Sequence, residues 1–364
     1  MEGLPRTMKA VLLKGHGGFD QLEYRDDVPV PVAHRGEVLV RIGAAAVNNT
    51  DINTRTAWYS KAVTEGTTAA AAAGGHAAAR YEDSGWTGAT LTFPRIQGAD
   101  ACGRIVAVGA GVDPARLDER VLIEPVFRAT GGDRCRAIYF GSECDGSFAE
   151  FARVPAAHAY RILSPLSDME LASFPCAYSA AENMLTRAAV GAGETVLVTG
   201  ASGGVGSATV QLAKRRGANV VASASASKAA AVAALGASRV SERDADLVRE
   251  LGRESIDVVV DVVGGRRFPQ LLEVLRRGGR YAVAGAISGP TVELDLRTLY
   301  LKDLRLLGCT VLEPDVFGNL VRYIERAEIK PLIAGTHPLS AIVQAQQQFL
   351  TKQHIGKIIL LPAA

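Results

Sequence analysis

The chain has few cysteines, and their spacing excludes two common uses of cysteine. Its 364 residues include only five, an odd number, and no two of them form a Cys-x-x-Cys pair. Disulfide frameworks and zinc lobes need paired or closely spaced cysteines, so free thiols in a reducing compartment are favoured. We expect a cytoplasmic protein that keeps all of these residues as thiols: Cys102, Cys135, Cys144, Cys176 and Cys309.

Excess charge and long apolar runs are also absent from the sequence. The 40 Lys and Arg residues nearly balance the 38 Asp and Glu residues, which leaves a formal net charge of +2. Charges of both signs spread along a chain argue against nucleic acid as a partner. Residues 1–9 lack the apolar core of a signal peptide, and no apolar run has membrane-spanning length. The expected partner is a small-molecule substrate, with no nucleic acid and no membrane involved.

A glycine-rich turn at 195–206 is the most informative stretch that the chain does have. The apolar strand 196–198 runs into this turn, and Gly203, Gly204 and Gly206 open a helix at 205–216. Glycines let the backbone approach a pyrophosphate, and a helix N-terminus offers N–H groups and a positive dipole end. Ala201 takes the first place of the Gly-x-Gly-x-x-Gly pattern, and such a turn alone is weak evidence. Because strand–helix units follow it, the turn predicts a dinucleotide site.

Hydrophobic patterning divides the chain into a β-rich first third and a later part in which strands and helices alternate. The early strands are predicted at 8–13, 37–42, 105–108 and 119–123. From residue 193 onward the pattern predicts strands at 219–224, 256–263, 280–284 and 304–307, with helices at 228–235, 244–252 and 268–277. This alternation predicts an α/β fold with a doubly wound parallel sheet. The tail predicts helices 316–327 and 340–351 and a strand 357–361, long enough to return to the first domain.

Residues 60–92 stand apart because they are rich in alanine and lack a large apolar face. Alanine favours helix, but Gly74 and Gly75 interrupt the stretch. A mobile surface insertion is the favoured interpretation, and an active-site lid is the alternative.

Six segments carry a resemblance to the medium-chain dehydrogenase/reductase superfamily. They are residues 46–51, 98–109, 145–150, 200–206, 278–280 and 354–360. The resemblance implies an N-terminal GroES-like, partly open β-barrel catalytic domain plus a doubly wound Rossmann domain. The implied domains are a catalytic domain at 1–164 with the insertion 60–92, an NADPH-binding domain at 165–309, and a return to the catalytic domain at 310–364.

The zinc enzymes of this superfamily take three catalytic ligands from positions that are occupied here by Asn48, Ala99 and Cys176. One thiolate cannot supply a tetrahedral catalytic site, which needs three protein ligands and a water. The expected metal is none. The sequence resembles the zinc-free quinone oxidoreductase and enoyl reductase branch, which carries Asn-x-x-Asp where Asn48 and Asp51 stand. Of the two tyrosines of that branch, Tyr59 matches the second, whereas Asn53 occupies the first place.

The expected catalytic residues are Asn48, Thr50, Asp51 and Tyr59. Asn48 is expected to hydrogen-bond the nicotinamide ribose or a substrate oxygen, with turn capping after the strand as the alternative. Thr50 is expected to relay a proton or to cap a helix. Asp51 is expected to hold a basic partner, either Arg55 or Lys357. Tyr59 is expected to be the proton donor, with a structural tyrosine as the alternative.

The cofactor preference follows from a missing carboxylate. NAD-preferring sites place an acidic residue about 20 residues beyond the glycines, but none occurs between Glu194 and Glu242. Hydroxyls and a lysine suit the 2′-phosphate of NADPH, unless Lys228 is only a solvated helix residue. The expected cofactor is NADPH, and the expected cofactor-binding residues are Ser179, Ser202, Gly203, Gly204, Val205, Gly206, Ser223, Ser225, Lys228, Val263, Gly285 and Lys357.

These features together predict a zinc-independent, NADPH-dependent oxidoreductase that transfers hydride to a quinone or an α,β-unsaturated carbonyl compound. Two alternatives are an alcohol dehydrogenase of the same fold and a cofactor-binding protein with little turnover. A homodimer is also expected, because the strand predicted at 304–307 should lie at the edge of the parallel sheet.

Overall fold

The computed structural model describes residues 3–128 and 135–362, which form two compact units. The first unit contains Met1–Val63, Thr68–Cys176 and Pro331–Ala364, and the second contains Thr64–Thr67 and Ala177–Lys330. Each unit has its own sheet system and its own buried apolar core.

Strands dominate the first unit up to Cys176. Its strands are β1 (Thr7–Leu13), β2 (Leu22–Pro29), β3 (Glu37–Ala46), β4 (Arg95–Ile96), β5 (Asp100–Val108), β6 (Arg120–Ile123), β7 (Val126–Arg128), β8 (Ala137–Tyr139), β9 (Phe151–Pro155) and β10 (Ala159–Arg161). Its short helices are α1 (Asn49–Arg55), α2 (Ala69–Gly74) and α3 (Asp168–Leu171), and α4 (Pro175–Arg187) continues into the second unit.

The second unit alternates strands and helices, as the sequence predicts. After α4 its strands are β11 (Thr195–Val198), β12 (Asn219–Ala224), β13 (Arg239–Glu242), β14 (Ile256–Asp261), β15 (Leu275–Val283) and β16 (Arg305–Gly308). Its helices are α5 (Gly204–Arg215), α6 (Ala229–Ala234), α7 (Leu247–Leu251), α8 (Phe268–Val274), α9 (Leu296–Leu301) and α10 (Val316–Glu325). The tail then adds β17 (Ile333–Pro338), α11 (Ile342–Leu350) and β18 (Lys357–Leu361) to the first unit.

The main sheet of the first unit has the order β10-β6-β5-β3-β18-β17, with β9 also paired to β3. Strands β2, β1 and β4 form a second sheet, and β7 pairs with β8. The core between these sheets includes Val38, Val40 and Ile42 of β3, which are fully or almost fully buried. The partly open β-barrel expected for this part of the chain is therefore confirmed.

The second unit is built on a six-stranded parallel sheet of order β13-β12-β11-β14-β15-β16. Five of the six residues of β14 are buried, which is typical of a strand covered on both faces. The strand order moves outward from β11 in both directions, so the predicted doubly wound α/β sheet is confirmed.

The predicted domain bounds differ from the two units at three places. Residues 165–176 lie in the first unit, 64–67 lie in the second unit, and 310–330 lie in the second unit instead of the returning tail. Side chains of α4 hold this second segment: Asn183 Nδ2 donates to the Val311 carbonyl at 3.2 Å, and the Tyr178 hydroxyl donates to the Lys330 carbonyl at 2.7 Å. The tail therefore leaves the second unit only after Lys330.

The segment 60–92 lies largely at the surface, as predicted, and a few buried residues and hydrogen bonds anchor it to the first unit, while its mobility stays a prediction. Ala72 is fully buried, and its carbonyl oxygen accepts a hydrogen bond from Arg55 Nη1 at 2.9 Å. Ser84 Oγ hydrogen-bonds His16 Nε2 at 2.7 Å. These contacts could not be predicted from the sequence, because an alanine-rich segment has no periodic pattern of large apolar side chains.

Across residues 3–128 and 135–362, every helix is too short or too polar to cross a bilayer.

Strand β16 lies at the edge of the parallel sheet, where the sequence analysis expects a dimer contact. Leu306 on this strand is 39% exposed, and Tyr300 and Leu301 on α9 are 62% and 57% exposed. Unpaired backbone groups and exposed apolar side chains favour pairing with an identical strand. We expect a homodimer mass in light scattering at micromolar concentration, and a monomer mass for Leu306→Lys.

The control for that variant is Val32→Lys, which changes a similarly exposed apolar residue in the first unit and should leave the dimer intact. A monomeric wild-type protein at micromolar concentration would rule the dimer out.

Candidate functional site

The turn between β11 and α5 has the geometry that a pyrophosphate needs. Gly200 has φ +58°, a left-handed conformation that favours glycine. A Cβ at Gly206 would clash with the Gly200 carbonyl oxygen, so the close approach requires glycine. Helix α5 follows Gly203, and no described side chain caps its N-terminus. The N–H groups and dipole of this end can therefore serve an anion, so the residues fit the phosphates of a dinucleotide.

The other predicted cofactor residues of this unit mostly follow neighbouring strands. Ser223 is the second-to-last residue of β12, and Ser225 and Lys228 come just after this strand. Val263 follows β14, and Gly285 follows β15. Parallel strands end at one edge of a sheet, so these residues share the edge that carries the Ser202–Gly206 turn. The exception is Ser179, which is buried within α4.

A second basic residue lies beside Lys228, and sequence reasoning missed it. Burial and the nearby Arg243 guanidinium together lower the pKa of Lys228. Arg243 follows β13, and its backbone N–H donates to the Ala224 carbonyl oxygen at 2.9 Å, at the end of β12. A basic residue directly after the third strand of the unit was the available signal. Two basic residues therefore lie near Ser225: Lys228, which follows β12, and Arg243, which follows β13.

Asp261 is a second residue that the sequence analysis missed. It is fully buried at the end of β14 and accepts hydrogen bonds from the Thr199 hydroxyl and the Tyr281 hydroxyl, each at 2.5 Å. The same carboxylate accepts the N–H groups of Val263 at 2.8 Å and Gly264 at 3.2 Å. Asp261 thus fixes the loop that carries Val263. An acidic residue ending an apolar strand is the signal that could have found it.

In the first unit, strand register assembles a buried polar cluster of Asn48, Asp100 and Lys357. Ala46 lies opposite Asp100 of β5 and opposite Ile359 of β18, so residues near these three positions meet. Lys357 Nζ lies 2.8 Å from Asp100 Oδ2 and donates to Asn48 Oδ1 at 2.5 Å. Asn48 Nδ2 donates to Asp100 Oδ2 at 2.8 Å. All three side chains are nearly inaccessible to solvent.

This cluster occupies both ends of the Asn48 amide with protein partners. Asn48 also precedes α1 directly, and its backbone N–H donates to Asp51 Oδ2 at 2.7 Å, as in a helix cap. A contact of Asn48 with ribose or substrate stays a prediction. So does a cofactor contact of Lys357, whose ammonium is engaged by Asp100 and Asn48.

The Asp51 carboxylate pairs directly with neither Arg55 nor Lys357, the two predicted partners, although the Lys357 ammonium lies near it. The carboxylate accepts the backbone N–H groups of Asn48 at 2.7 Å and Gly98 at 3.2 Å, while the ammonium of Lys357 pairs with Asp100. Arg55 instead donates to the carbonyl oxygens of Gly17 and Ala72 and to Gln346. Burial raises the pKa of Asp51 to about 7, despite these hydrogen bonds and the nearby Lys357 ammonium.

This raised pKa makes stability depend on pH. The folded protein binds a proton at Asp51 more tightly than the unfolded chain does, so the contribution is full at low pH and is lost as the pH rises from about 4 to about 7. In the wild-type protein we expect the free energy of unfolding to decrease by on the order of a few kcal/mol over this range. Asp51→Asn should abolish this decrease. Urea unfolding at pH 4.5, 6 and 8 tests this, and parallel pH dependences of wild type and variant would contradict it.

Tyr59 and Thr50, two of the predicted catalytic residues, lie within hydrogen-bond distance of each other. The Tyr59 hydroxyl donates to Thr50 Oγ1 at 3.1 Å, and burial raises the pKa of Tyr59. The hydroxyl therefore keeps its proton at neutral pH and acts as a donor. Cys176 lies near it, with its pKa raised by burial to about 12, and its thiol hydrogen-bonds the hydroxyl of Tyr139. Sequence reasoning missed Tyr139, since only the fold brings β8 to this place.

The residues at the three family ligand positions do not fit a catalytic zinc ion. Asn48 and Ala99 offer no thiolate, imidazole or carboxylate, and the Lys357 ammonium already lies against Asn48. Within residues 3–128 and 135–362, no group of three or more His, Cys, Asp and Glu side chains is placed to hold a metal ion.

Comparisons with known proteins agree with this architecture. Residues 34–164 match the model of the alcohol dehydrogenase GroES-like domain, and residues 204–326 match that of the zinc-binding dehydrogenase. The chain is 30% identical over 367 residues to an acryloyl-coenzyme A reductase of Metallosphaera sedula, covering 97% of this chain and 99% of that protein. It is 26% identical over 370 residues to the quinone oxidoreductase of Rattus norvegicus, covering 98% of each.

A solved structure extends this likeness to three dimensions. A protein of Sinorhizobium meliloti 1021, assigned as an alcohol dehydrogenase, superposes with a TM-score of 0.89 at 46% identity, over 100% of this chain and 98% of that one.

Proposed function

Since this chain belongs to the medium-chain dehydrogenase/reductase superfamily, in its zeta-crystallin-like branch, we propose that it reduces conjugated carbonyl compounds with NADPH and without zinc. The family is one of nicotinamide-dependent oxidoreductases, and this chain is an oxidoreductase of that kind. The proposed substrates are quinones and α,β-unsaturated carbonyl compounds, and the proposed location is the cytoplasm.

The observation that carries this proposal is the polar cluster at the family's zinc position. A zinc ion would act as a Lewis acid on an alcohol or carbonyl oxygen. Here an amide, a methyl group and a protonated thiol take the ligand positions, beside the Lys357–Asp100 ion pair. Oxidation of a simple alcohol then lacks the group that stabilises an alkoxide. Reduction of a conjugated carbonyl needs only hydrogen-bond donors for the charge that develops on oxygen.

The side chains of the first unit supply such donors. A bound nicotinamide supplies the hydride. The Tyr59 hydroxyl, protonated at neutral pH, donates a hydrogen bond to the oxygen on which charge develops. Without substrate the Tyr59 hydroxyl donates to Thr50 Oγ1. When its single proton turns to the substrate oxygen, the Thr50 hydroxyl donates to the Tyr59 oxygen instead, which holds the phenol in place and can return a proton from water. The relatives named as reductases of acryloyl-coenzyme A and of quinones support a conjugated substrate.

The proposal of NADPH rests on charge at the end of β12. Ser223 and Ser225 offer hydroxyls, while Lys228 and Arg243 offer positive charge. A 2′-phosphate is a dianion that forms charge-assisted hydrogen bonds with such groups. The ribose-binding carboxylate typical of NAD sites has no counterpart in this stretch of sequence.

The test is oxidation of NADPH by the purified protein with 9,10-phenanthrenequinone, an enone and a simple aldehyde, together with reduction of NADP⁺ by alcohols. We expect turnover with the quinone or the enone. Turnover with alcohols and aldehydes alone would support an alcohol dehydrogenase, which the Sinorhizobium meliloti relative favours. Cofactor binding without turnover on any of these substrates would support a cofactor-binding protein.

A further inference from the structure

Tyr139 lies beside the Cys176 thiol, in the neighbourhood of Tyr59. It ends β8 and is 8% exposed, and its hydroxyl hydrogen-bonds the Cys176 thiol. Tyr59 interacts electrostatically with both Cys176 and Tyr139, so the two phenol groups lie close together. Cys176 is itself fixed, because its backbone N–H donates to Asp100 Oδ1 at 2.6 Å. Two phenol groups from distant parts of the chain therefore lie near one thiol, whose backbone is anchored to Asp100 of the Asn48–Asp100–Lys357 cluster.

The ring of Tyr139 is held in place by Trp86. The two ring centroids lie 3.9 Å apart at an interplanar angle of 38°. Glu143 connects the two segments that carry these rings. Its carboxylate accepts the backbone N–H of Thr87, the residue after Trp86, at 2.9 Å and the backbone N–H of Tyr139 at 3.1 Å. This arrangement orients the Tyr139 hydroxyl without using it. A hydroxyl held by a scaffold of this kind is preorganised, and preorganised donors lower the barrier to reaction.

The present partner of this hydroxyl is weak. A thiol is a poor hydrogen-bond partner, and burial keeps Cys176 in its thiol form. A carbonyl oxygen, and still more an enolate or phenolate oxygen, is a much stronger acceptor. A substrate oxygen that reaches this point can therefore take the Tyr139 hydrogen bond from Cys176 at little cost. Burial also raises the pKa of Tyr139, so the hydroxyl stays protonated.

We propose that Tyr139 is a catalytic residue that donates a second hydrogen bond, beside that of Tyr59, to the substrate oxygen. The inference rests on the proposed function. When hydride from NADPH adds to the β-carbon of an enone, the electron pair of the C=C bond moves to form an enolate. The two hydroxyls hold the enolate oxygen until the α-carbon takes a proton that derives from water. The products are the saturated carbonyl compound and NADP⁺.

Tyr139→Phe tests this role, because the ring can still stack on Trp86 while the hydroxyl is lost. We expect kcat with the best conjugated substrate to fall by about 10- to 100-fold, with the Kd for NADPH unchanged. Tyr24→Phe, at a 37% exposed tyrosine of β2, is the matched control and should match wild type. Trp86→Leu keeps the hydroxyl but loosens its ring, so a smaller decrease is expected.

A second readout does not depend on turnover. 4-Nitrophenolate carries a phenolate oxygen that mimics the developing charge, and its binding is followed by visible absorption and by quenching of the two tryptophans, Trp58 and Trp86. We expect Tyr139→Phe to weaken 4-nitrophenolate binding about tenfold in the NADP⁺ complex, as expected for one lost donor to a charged oxygen.

The outcomes separate this inference from the proposed function. Unchanged kcat and unchanged 4-nitrophenolate affinity in Tyr139→Phe would overturn the role of Tyr139. A parallel loss of NADPH affinity and thermal stability would also overturn it, since that marks a structural residue. If wild type reduces neither quinone nor enone, the proposed function fails, while weakened 4-nitrophenolate binding would still support a donor at Tyr139.

Discussion

Replacing Tyr59 with phenylalanine should lower kcat on the best conjugated carbonyl substrate by about a hundredfold, the usual loss for one donor to a developing oxyanion. The hydroxyl is protonated at neutral pH because burial raises its pKa, and Thr50 orients it through a 3.1 Å hydrogen bond. The phenyl ring keeps its edge-to-face contact with Trp58, at 5.6 Å between centroids. The Kd for NADPH should therefore stay unchanged, which fluorescence titration can measure.

The same variant distinguishes Tyr59 from Thr50. If Tyr59→Phe retains full turnover while the control Tyr24→Phe does so too, Tyr59 is structural, and Thr50 or water is the proton source. Thr50→Val should then show the large loss instead. If Tyr59 is the donor, Thr50→Val should cause a smaller decrease, since it removes only the group that orients the phenol.

Replacing Ser223 with aspartate should reverse the cofactor preference from NADPH toward NADH. Ser223 is 4% exposed at the end of β12, so the new carboxylate would face the 2′-phosphate with little screening by water. Repulsion at a partly desolvated site costs on the order of a few kcal/mol, which is tenfold or more in affinity. The same carboxylate can accept hydrogen bonds from the ribose hydroxyls of NADH. Kd values for both cofactors, from fluorescence titration, measure the change.

The control is Ser255→Asp, which adds the same charge directly before β14. This position is where the parallel strands begin, whereas Ser223 is where they end. Ser255→Asp should leave both Kd values unchanged. Arg243→Gln should weaken NADPH binding and leave NADH binding intact, because only the phosphate meets its charge. A wild-type protein that binds NADH as tightly as NADPH would show that the charge argument is wrong.

The sequence was sufficient for features that local patterns encode. The glycine turn, the apolar strand β14 and the alternating elements of the second unit all follow from residues close together in the chain. The donor set at the zinc position could also be read directly, because the residue types at 48, 99 and 176 exclude a three-ligand site whatever the geometry.

The pairing register of strands that are distant in sequence could not be predicted from local patterns. Which carboxylate pairs with Lys357 depends on Ala46 lying opposite both Asp100 and Ile359. Tyr139 was missed for the same reason, since it reaches its place from a strand distant in sequence from Tyr59 and Cys176. The contact that anchors the 60–92 segment to Arg55 was also out of reach, because one buried alanine, Ala72, gives no periodic pattern.

The most direct test of the central claim is the metal content of the active protein. Elemental analysis should find well under one zinc ion per chain, and protein dialysed against 1,10-phenanthroline should reduce the quinone or enone with NADPH at the untreated rate. About one zinc ion per chain, removed by the chelator together with activity and restored with it, would contradict the account.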